Sequence, residues 1–211
     1  MRKLVRITAL LKSRRLVPVA AIACAASVFL WAGLSELMLL RARSSLRAGR
    51  TQNALVNIEW FERIRSSSGE SRFLAGRCHR RLGDMASAKR CLDAAAGLGY
   101  APTLIQRERW LILAQIGAIS EAESHLQSLL VSPGDDAAEI CEAYVSGFLV
   151  NYQFGKAIGL LEAWQADFPD DARPWFIRGQ CMEHLANSSS AANAYDRALE
   201  LDATRDDIRR A

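Results

Sequence analysis

The chain has 211 residues, of which 50% are hydrophobic and 24% charged, and its formal net charge is +4. This length and composition suit one or two ordinary globular domains, and the small positive charge without a basic stripe excludes a typical nucleic-acid-binding protein. The five cysteines form no C-x-x-C pair, so the sequence predicts neither a zinc site nor a redox pair.

The first 15 residues are basic and precede a long uncharged segment. Six arginines and lysines lie before residue 16, and residues 16–35 contain no charged side chain. Twenty helical residues are about 30 Å long, which matches the hydrocarbon core of a bilayer. Pro18 in the first turn and Trp31 near the far end are compatible with such a helix. We therefore expect a basic segment at 1–15 and a transmembrane anchor helix at 16–40.

Two other interpretations of this segment are a cleaved signal peptide and a lipoprotein signal ending at Cys24. A signal peptide needs a shorter apolar run, but this one continues to Leu40, and few apolar residues precede Cys24. An uncleaved signal-anchor fits better. The excess of basic residues before the span favours a cytoplasmic N-terminus and periplasmic repeats. Because four arginines also follow the span closely, a cytoplasmic-facing adaptor is the alternative.

Five alanines recur along the rest of the chain every 34 or 35 residues. An apolar residue follows each alanine after four positions, and another follows three positions later. This i, i+4, i+7 spacing is the apolar stripe of a helix, and a repeat of this length predicts stacked helix pairs. The alanines are Ala54, Ala88, Ala122, Ala157 and Ala191.

The last repeat carries the clearest pattern. It resembles the tetratricopeptide repeat (TPR), W-x2-L-G-x2-Y followed by A-x3-F, but Arg178, Met182 and Ala203 replace the Leu, Tyr and Pro of that pattern. The resemblance implies an all-α fold: an α-solenoid of about five helix pairs in a right-handed superhelix. Small residues would lie where the two helices of a pair approach closely. The matching residues are Trp175, Gly179, Ala191, Tyr195 and Ala198.

The repeats are expected to occupy residues 35–205, with a glycine ending the first helix in several of them. Gly49, Gly83 and Gly117 lie at these turns. The first repeat overlaps the end of the predicted anchor, so we expect the repeats to lie close to the bilayer. Residues 206–211 begin either a capping helix or a further region. The expected repeats are 35–68, 69–102, 103–137, 138–171 and 172–205.

No catalytic motif is present in the sequence. The three histidines lie in three different repeats, and there is no phosphate-binding loop or EF-hand loop. We therefore expect no enzymatic activity, cofactor, metal or small-molecule substrate. The predicted function is a membrane-anchored protein–protein interaction scaffold, with envelope assembly or recruitment of a complex as the more specific role. The alternative is the N-terminal scaffold of a longer enzyme or receptor whose active domain lies beyond residue 211.

The resemblance also implies a partner-binding groove lined by the first helix of each repeat. Several arginines at the membrane-proximal end favour an acidic or extended peptide, and apolar residues further along would contact its hydrophobic side chains. The alternative is that these arginines only solvate a helix face and contact lipid headgroups. The predicted groove residues are Arg43, Arg47, Phe73, Arg77, Arg80, Arg81, Arg107, Leu149 and Phe176.

Overall fold

The computed structural model describes residues 33–202, which are helical almost throughout and contain no strand. A short 3₁₀ turn, Gly134–Asp136, is the one non-α helix in this range. The α-helices form five consecutive pairs, each joined by a short turn. They are α1 (33–47), α2 (Thr51–Ile64), α3 (Gly69–Arg81), α4 (Met85–Gly97), α5 (Pro102–Gln115), α6 (Ile119–Val131), α7 (Ala137–Val150), α8 (Phe154–Asp167), α9 (Ala172–His184) and α10 (Ser188–Leu201).

The all-α prediction is confirmed for the described residues. The predicted basic segment 1–15, residues 16–32 of the predicted anchor, and the chain from residue 203 onward lie outside them. Within 33–202, none of the helices combines the length and the hydrophobicity needed to cross a membrane.

The recurring alanines lie on the second helix of each pair and are buried. All five are at most 3% exposed. The residues four and seven positions later are buried with them, except for Leu126, which is partly buried. The predicted apolar stripe is therefore confirmed on α2, α4, α8 and α10, and on α6 with that one weaker position.

A left-handed residue ends the first helix of every described pair. Gly83 has φ +82°, and its N–H donates to the Arg80 carbonyl while Asp84 N–H donates to the His79 carbonyl. These two hydrogen bonds satisfy carbonyls that the helix end leaves unpaired. The glycine turns are confirmed, but the last two pairs have Tyr152 and Ala186 at the equivalent position, with φ of 55° and 57°.

The chain divides into two compact units, which we call the N-terminal unit (described from 33 to Ile105) and the C-terminal unit (Gln106 to 202). The N-terminal unit has a core of small and aliphatic residues around Phe61 and Phe73. The core of the C-terminal unit contains the fully buried Tyr144 and Trp164. The Tyr144 hydroxyl donates to the Ala122 carbonyl over 2.8 Å, which joins α7 to α6.

Two glycines of the C-terminal unit mark points where helices touch. A Cβ on Gly179 would overlap the ring of Tyr195, which confirms the predicted close approach of α9 and α10. Gly147, which the sequence analysis did not select, faces the backbone carbonyl of Ala114, so α7 and α5 also touch. Helix contacts of this kind require glycine because any side chain would separate the backbones.

Candidate functional site

The predicted arginines of the N-terminal unit bind other parts of the same unit. Arg43 on α1 donates Nε–H to Oε1 of Glu70, near the start of α3, over 2.7 Å. Arg81 on α3 donates Nη1–H to the Leu46 carbonyl over 2.8 Å. That carbonyl lies at the C-terminal end of α1, where the helix dipole favours a cation. Both contacts join α1 to α3, so these two arginines connect consecutive repeats.

Tyr100 lies beside Arg43 and Glu70, in the turn before α5. Its ring stacks on Phe73 with 4.8 Å between the ring centroids. Burial and the negative charge of Glu70 raise the pKa of Tyr100, while Arg43 and Arg77 lower it. Tyr100 also packs against Gly69, next to Glu70 on α3, and its phenol stays protonated at neutral pH. We call Arg43, Glu70, Arg77 and Tyr100 the Tyr100 cluster.

Two predicted groove residues lie in the interior of the N-terminal unit. Phe73 and Arg80 are each only 3% exposed. The TPR pattern predicted that both side chains would lie on an open face of α3. Because α3 packs against both α2 and α4, more than half of its residues are buried. A partner cannot reach either side chain without unfolding the helix. Arg77 and Arg81 are half-buried, and Arg47 is exposed.

The other three predicted residues belong to the C-terminal unit. Arg107 on α5 forms a short ion pair with Asp136, in the 3₁₀ turn before α7, and each side chain is 17% exposed. Leu149 is partly buried and packs against the core of this unit. Phe176 packs against Tyr195 with ring centroids 5.7 Å apart. These residues therefore all contribute to packing, and only part of each remains accessible.

A further ion-pair network surrounds Arg173, at the start of α9. Its Nη2 lies 2.7 Å from Oδ2 of Asp171, and its Nη1 donates to Oε2 of Glu142 over 2.8 Å. The guanidinium also lies over the ring of Trp164, 5.2 Å from the centroid, and the indole N–H donates to Asp171. None of the predicted groove residues belongs to this network. The available signal was a pair of aspartates at a predicted helix start with an arginine two residues later.

Three of these ion pairs connect neighbouring repeats. Each joins the first helix of one repeat to the start of the first helix of the next. The residues are 27, 29 and 31 positions apart, and the third pair has the charges reversed. Several charged residues that the TPR pattern assigned to a partner therefore also connect repeats. The pairs are Arg43–Glu70, Arg107–Asp136 and Glu142–Arg173.

Three of the described cysteines have the environment of packing residues, while Cys91 is only partly buried. Cys78, Cys141 and Cys181 are buried. Burial raises the pKa of both Cys141 and Cys181 to about 11, so their thiols stay protonated and unreactive at neutral pH. Among residues 33–202 no three potential ligands cluster as a metal site would require.

Comparison with known proteins supports the fold. No family model and no curated protein sequence matches the chain. A TPR protein from Parabacteroides merdae matches with a TM-score of 0.62 at 15% identity, covering 83% of this chain and 68% of that one. The TPR protein TTC0263 from Thermus thermophilus matches with a TM-score of 0.60 at 18% identity, covering 83% and 95%. PilW, a type IV pilus biogenesis factor, matches with a TM-score of 0.58 at 12% identity, covering 82% and 80%. The described residues thus have the TPR fold.

Proposed function

We propose that this chain is a membrane-anchored scaffold that binds a protein or peptide partner along the first helices of its repeats. The TPR fold supports a partner of this kind, and the description of PilW as a biogenesis factor supports an assembly role. The uncharged segment supports an anchor at 16–40, with the N-terminus in the cytoplasm and the repeats outside it. Binding and positioning are the whole of the proposed activity.

The Tyr100 cluster is the observation that carries this proposal. It brings side chains from α1, α3 and the turn before α5 to one place, and the Arg43 and Glu70 side chains are 40% and 28% exposed. The remaining N–H groups of a guanidinium can donate to a second carboxylate, and the protonated Tyr100 hydroxyl can donate to the same carboxylate. Arg47, exposed one turn further along α1, adds positive charge. The Tyr100 cluster is therefore suited to bind an acidic segment.

Charge reversal at two arginines of α1 tests the proposal. The variant Arg43→Glu/Arg47→Glu should reduce recovery of the partner from detergent-solubilised membranes by about tenfold, equivalent to roughly 1.4 kcal/mol. The matched control is Lys89→Glu/Arg90→Glu, which makes the same charge change at exposed positions of α4 in the same unit. Arg80 is unsuitable for this test, because reversing a buried charge would unfold the helix.

The comparison between the two variants decides the outcome. If both lose the partner equally, the effect is one of net charge. If neither variant loses the partner, the Tyr100 cluster is not the binding site. Circular dichroism must give equal helicity for both variants, and recovery of the native chain should fall as salt rises because exposed charges are screened within about 8–10 Å.

The anchor is tested separately by deleting residues 1–34. After a high-salt wash, which weakens electrostatic contacts with lipid, the remaining chain should leave the membrane fraction and keep its helicity, because the described repeats have their own buried core. A truncated chain that stays in the membrane pellet, or that is unfolded, would contradict the proposed division. A reporter fused to the C-terminus then decides on which side of the membrane the repeats lie.

A further inference from the structure

The first helix pair exposes an unusual amount of apolar surface. On α1, Leu34, Leu37 and Leu40 are between 41% and 55% exposed, and on α2, Val56 and Trp60 are 44% and 50% exposed. Apolar surface in water costs about 25 cal/mol per Å², so five large exposed side chains on one helix pair favour a covered state.

The exposed leucines and Trp60 lie at the same end of this helix pair. Arg65, just after α2, pairs with Glu36, near the start of α1, at 3.0 Å. The two helices therefore run in opposite directions, and the C-terminal half of α2 lies at the level of the N-terminal half of α1. Leu37 and Trp60 are at that level, far from the turn at Gly49.

Three arginines lie around this apolar surface, together with the exposed Glu36 and Glu59. The Arg63 guanidinium lies over the Trp60 ring, 5.2 Å from its centroid, and Arg41 and Arg65 are exposed nearby in the sequence. Leucine and tryptophan bordered by arginine is the composition of helices that lie at a membrane interface. The charge of the whole unit has the same sign, with twelve basic and six acidic side chains among residues 33–105.

Charge decides between the possible occupants of this surface. Two copies meeting face to face here would bring basic side chains together, and like charges across an interface repel. An anionic bilayer supplies apolar chains for the leucines and phosphates for the arginines. In the sequence, α1 also follows directly on the uncharged segment 16–32, which brings this end next to the bilayer if that segment is the anchor.

We propose that the outer surface of α1 and α2, centred on Leu37, Leu40 and Trp60, lies in the headgroup region of an anionic bilayer. The inference rests on the proposed anchor, whose last residues, 33–40, form the first half of α1, and it adds α2 as a second contact. The leucines and Trp60 enter the boundary between headgroups and acyl chains, while Arg41, Arg63 and Arg65 contact lipid phosphates. This contact fixes the orientation of the N-terminal unit on the membrane, which an anchor helix alone does not do.

Fluorescence quenching by lipid tests the contact in the full-length chain. Val56→Cys, labelled with a fluorophore, is reconstituted into phosphatidylcholine vesicles with or without phosphatidylglycerol, together with lipids that carry a nitroxide at the headgroup. We expect strong quenching in the phosphatidylglycerol vesicles and weaker quenching without it. The matched control is Leu98→Cys, an exposed position after α4 of the same unit, which should remain unquenched.

Two further variants complete the design. Cys24→Ala and Cys91→Ala are included throughout, so that the remaining native thiols are the buried ones of the described residues. Adding Arg63→Gln to the Val56→Cys chain should weaken the surface contact about fivefold in phosphatidylglycerol vesicles, the effect of one basic residue at an anionic surface. Arg90→Gln, which removes an equally exposed arginine on α4, should change nothing.

Flotation and carbonate extraction separate the two proposals. If the chain stays in the vesicles but the Val56 label is no more quenched than the Leu98 label, the surface contact is wrong and the anchor stands. Quenching that depends on protein density and not on the nitroxide lipid would show self-association and would also overturn the contact. If the chain does not float with the vesicles, the anchor and the contact are both wrong.

Discussion

The two units follow the same helix-pair plan but carry opposite charge. Residues 33–105 contain twelve basic and six acidic side chains, whereas residues 106–202 contain six basic and fifteen acidic ones. The net charge of the whole chain, +4, conceals this difference. A positive unit is attracted to acidic partners and anionic lipid, and a negative unit is repelled by both. The proposed binding places therefore both lie in the N-terminal unit.

The units also differ in how they use their basic side chains. In the C-terminal unit, Arg107, Lys156, Arg173, Arg178 and Arg197 each form an ion pair with a carboxylate of the same unit. In the N-terminal unit, Arg43, Arg65 and Arg72 also form ion pairs, but Arg41, Arg50 and Arg63 are exposed and belong to an excess of basic side chains. The same repeat plan thus gives one unit with a basic excess and another in which acidic side chains outnumber the basic ones that they pair with.

The largest expected effect tests the close helix contact in the last pair. Gly179→Leu should lower the free energy of unfolding by about 3 kcal/mol, because its side chain would overlap the Tyr195 ring. The Tyr195 hydroxyl bonds Glu183 at 2.8 Å, which restricts the movement of the ring. Thermal or urea unfolding of the full chain measures the change.

A second helical glycine of the same unit is the control for this substitution. Gly159, on α8, has no atom within 4 Å of where its Cβ would be. Gly159→Leu should leave stability unchanged or raise it slightly, because leucine is the better helix former. Equal losses at the two positions would show that the loss at Gly179 comes from the helix and not from the contact with α10.

The next effect compares close contacts in the two units. Gly147→Ala in the C-terminal unit should cost about 2 kcal/mol, because the new methyl group meets the rigid backbone at Ala114. Gly76→Ala in the N-terminal unit should cost less than about 1 kcal/mol, because its methyl group would lie 3.0 Å from the flexible side chain of Leu92. Equal costs would mean that both units are packed equally tightly. Urea unfolding curves of the two variants give the values.

The repeat plan was predictable because it depends on local spacing. The recurring alanines, the apolar residues that follow them and the turn glycines are fixed by the packing of one helix on its neighbour. A period of 34 residues repeats these requirements five times, so each repeat supports the interpretation of the others. Gly147 was not predicted because its contact is with the preceding repeat, and the equivalent positions of the other repeats are not glycine.

The candidate site was less predictable because side chains of neighbouring repeats determine it. The TPR register placed Arg43, Arg80 and Arg107 on a binding face, but a register cannot reveal that Glu70 and Asp136 lie opposite two of them. Tyr100 lies in a turn between repeats, and the TPR pattern assigns no binding role to residues of these turns. The division of charge between the units is readable in the sequence once the boundary at residue 105 is known.

A smaller effect compares the ion pairs that join repeats in the two units. A double-mutant cycle on Arg107 and Asp136, with Arg107→Gln and Asp136→Asn, should give a coupling of about 1–2 kcal/mol, because both side chains are largely buried. The same cycle on Arg43 and Glu70 should give about 0.5 kcal/mol, since water screens that pair. If Glu70 were the main residue that holds α1 against α3, the coupling between Arg43 and Glu70 would be the larger of the two. High salt should reduce the second coupling more than the first.

The smallest effect concerns the turns, where the units again differ. Both described turns between paired helices of the N-terminal unit have glycine at the left-handed position. In the C-terminal unit the first such turn has Gly117, but the other two have Tyr152 and Ala186. A left-handed conformation costs an alanine about 1–2 kcal/mol, and glycine adopts it freely at the expense of a more flexible unfolded chain.

Ala186→Gly should therefore raise the free energy of unfolding by about 0.5 kcal/mol. Gly83→Ala, in the N-terminal unit, should lower it by about 1 kcal/mol, since a methyl group there has open space and only the backbone is strained. Ala186 is the better position than Tyr152, whose ring also contacts Phe154. Opposite signs for the two substitutions in urea unfolding would establish backbone strain as the cause, whereas a loss of stability in Ala186→Gly would mean that the alanine methyl group contributes packing that outweighs the strain.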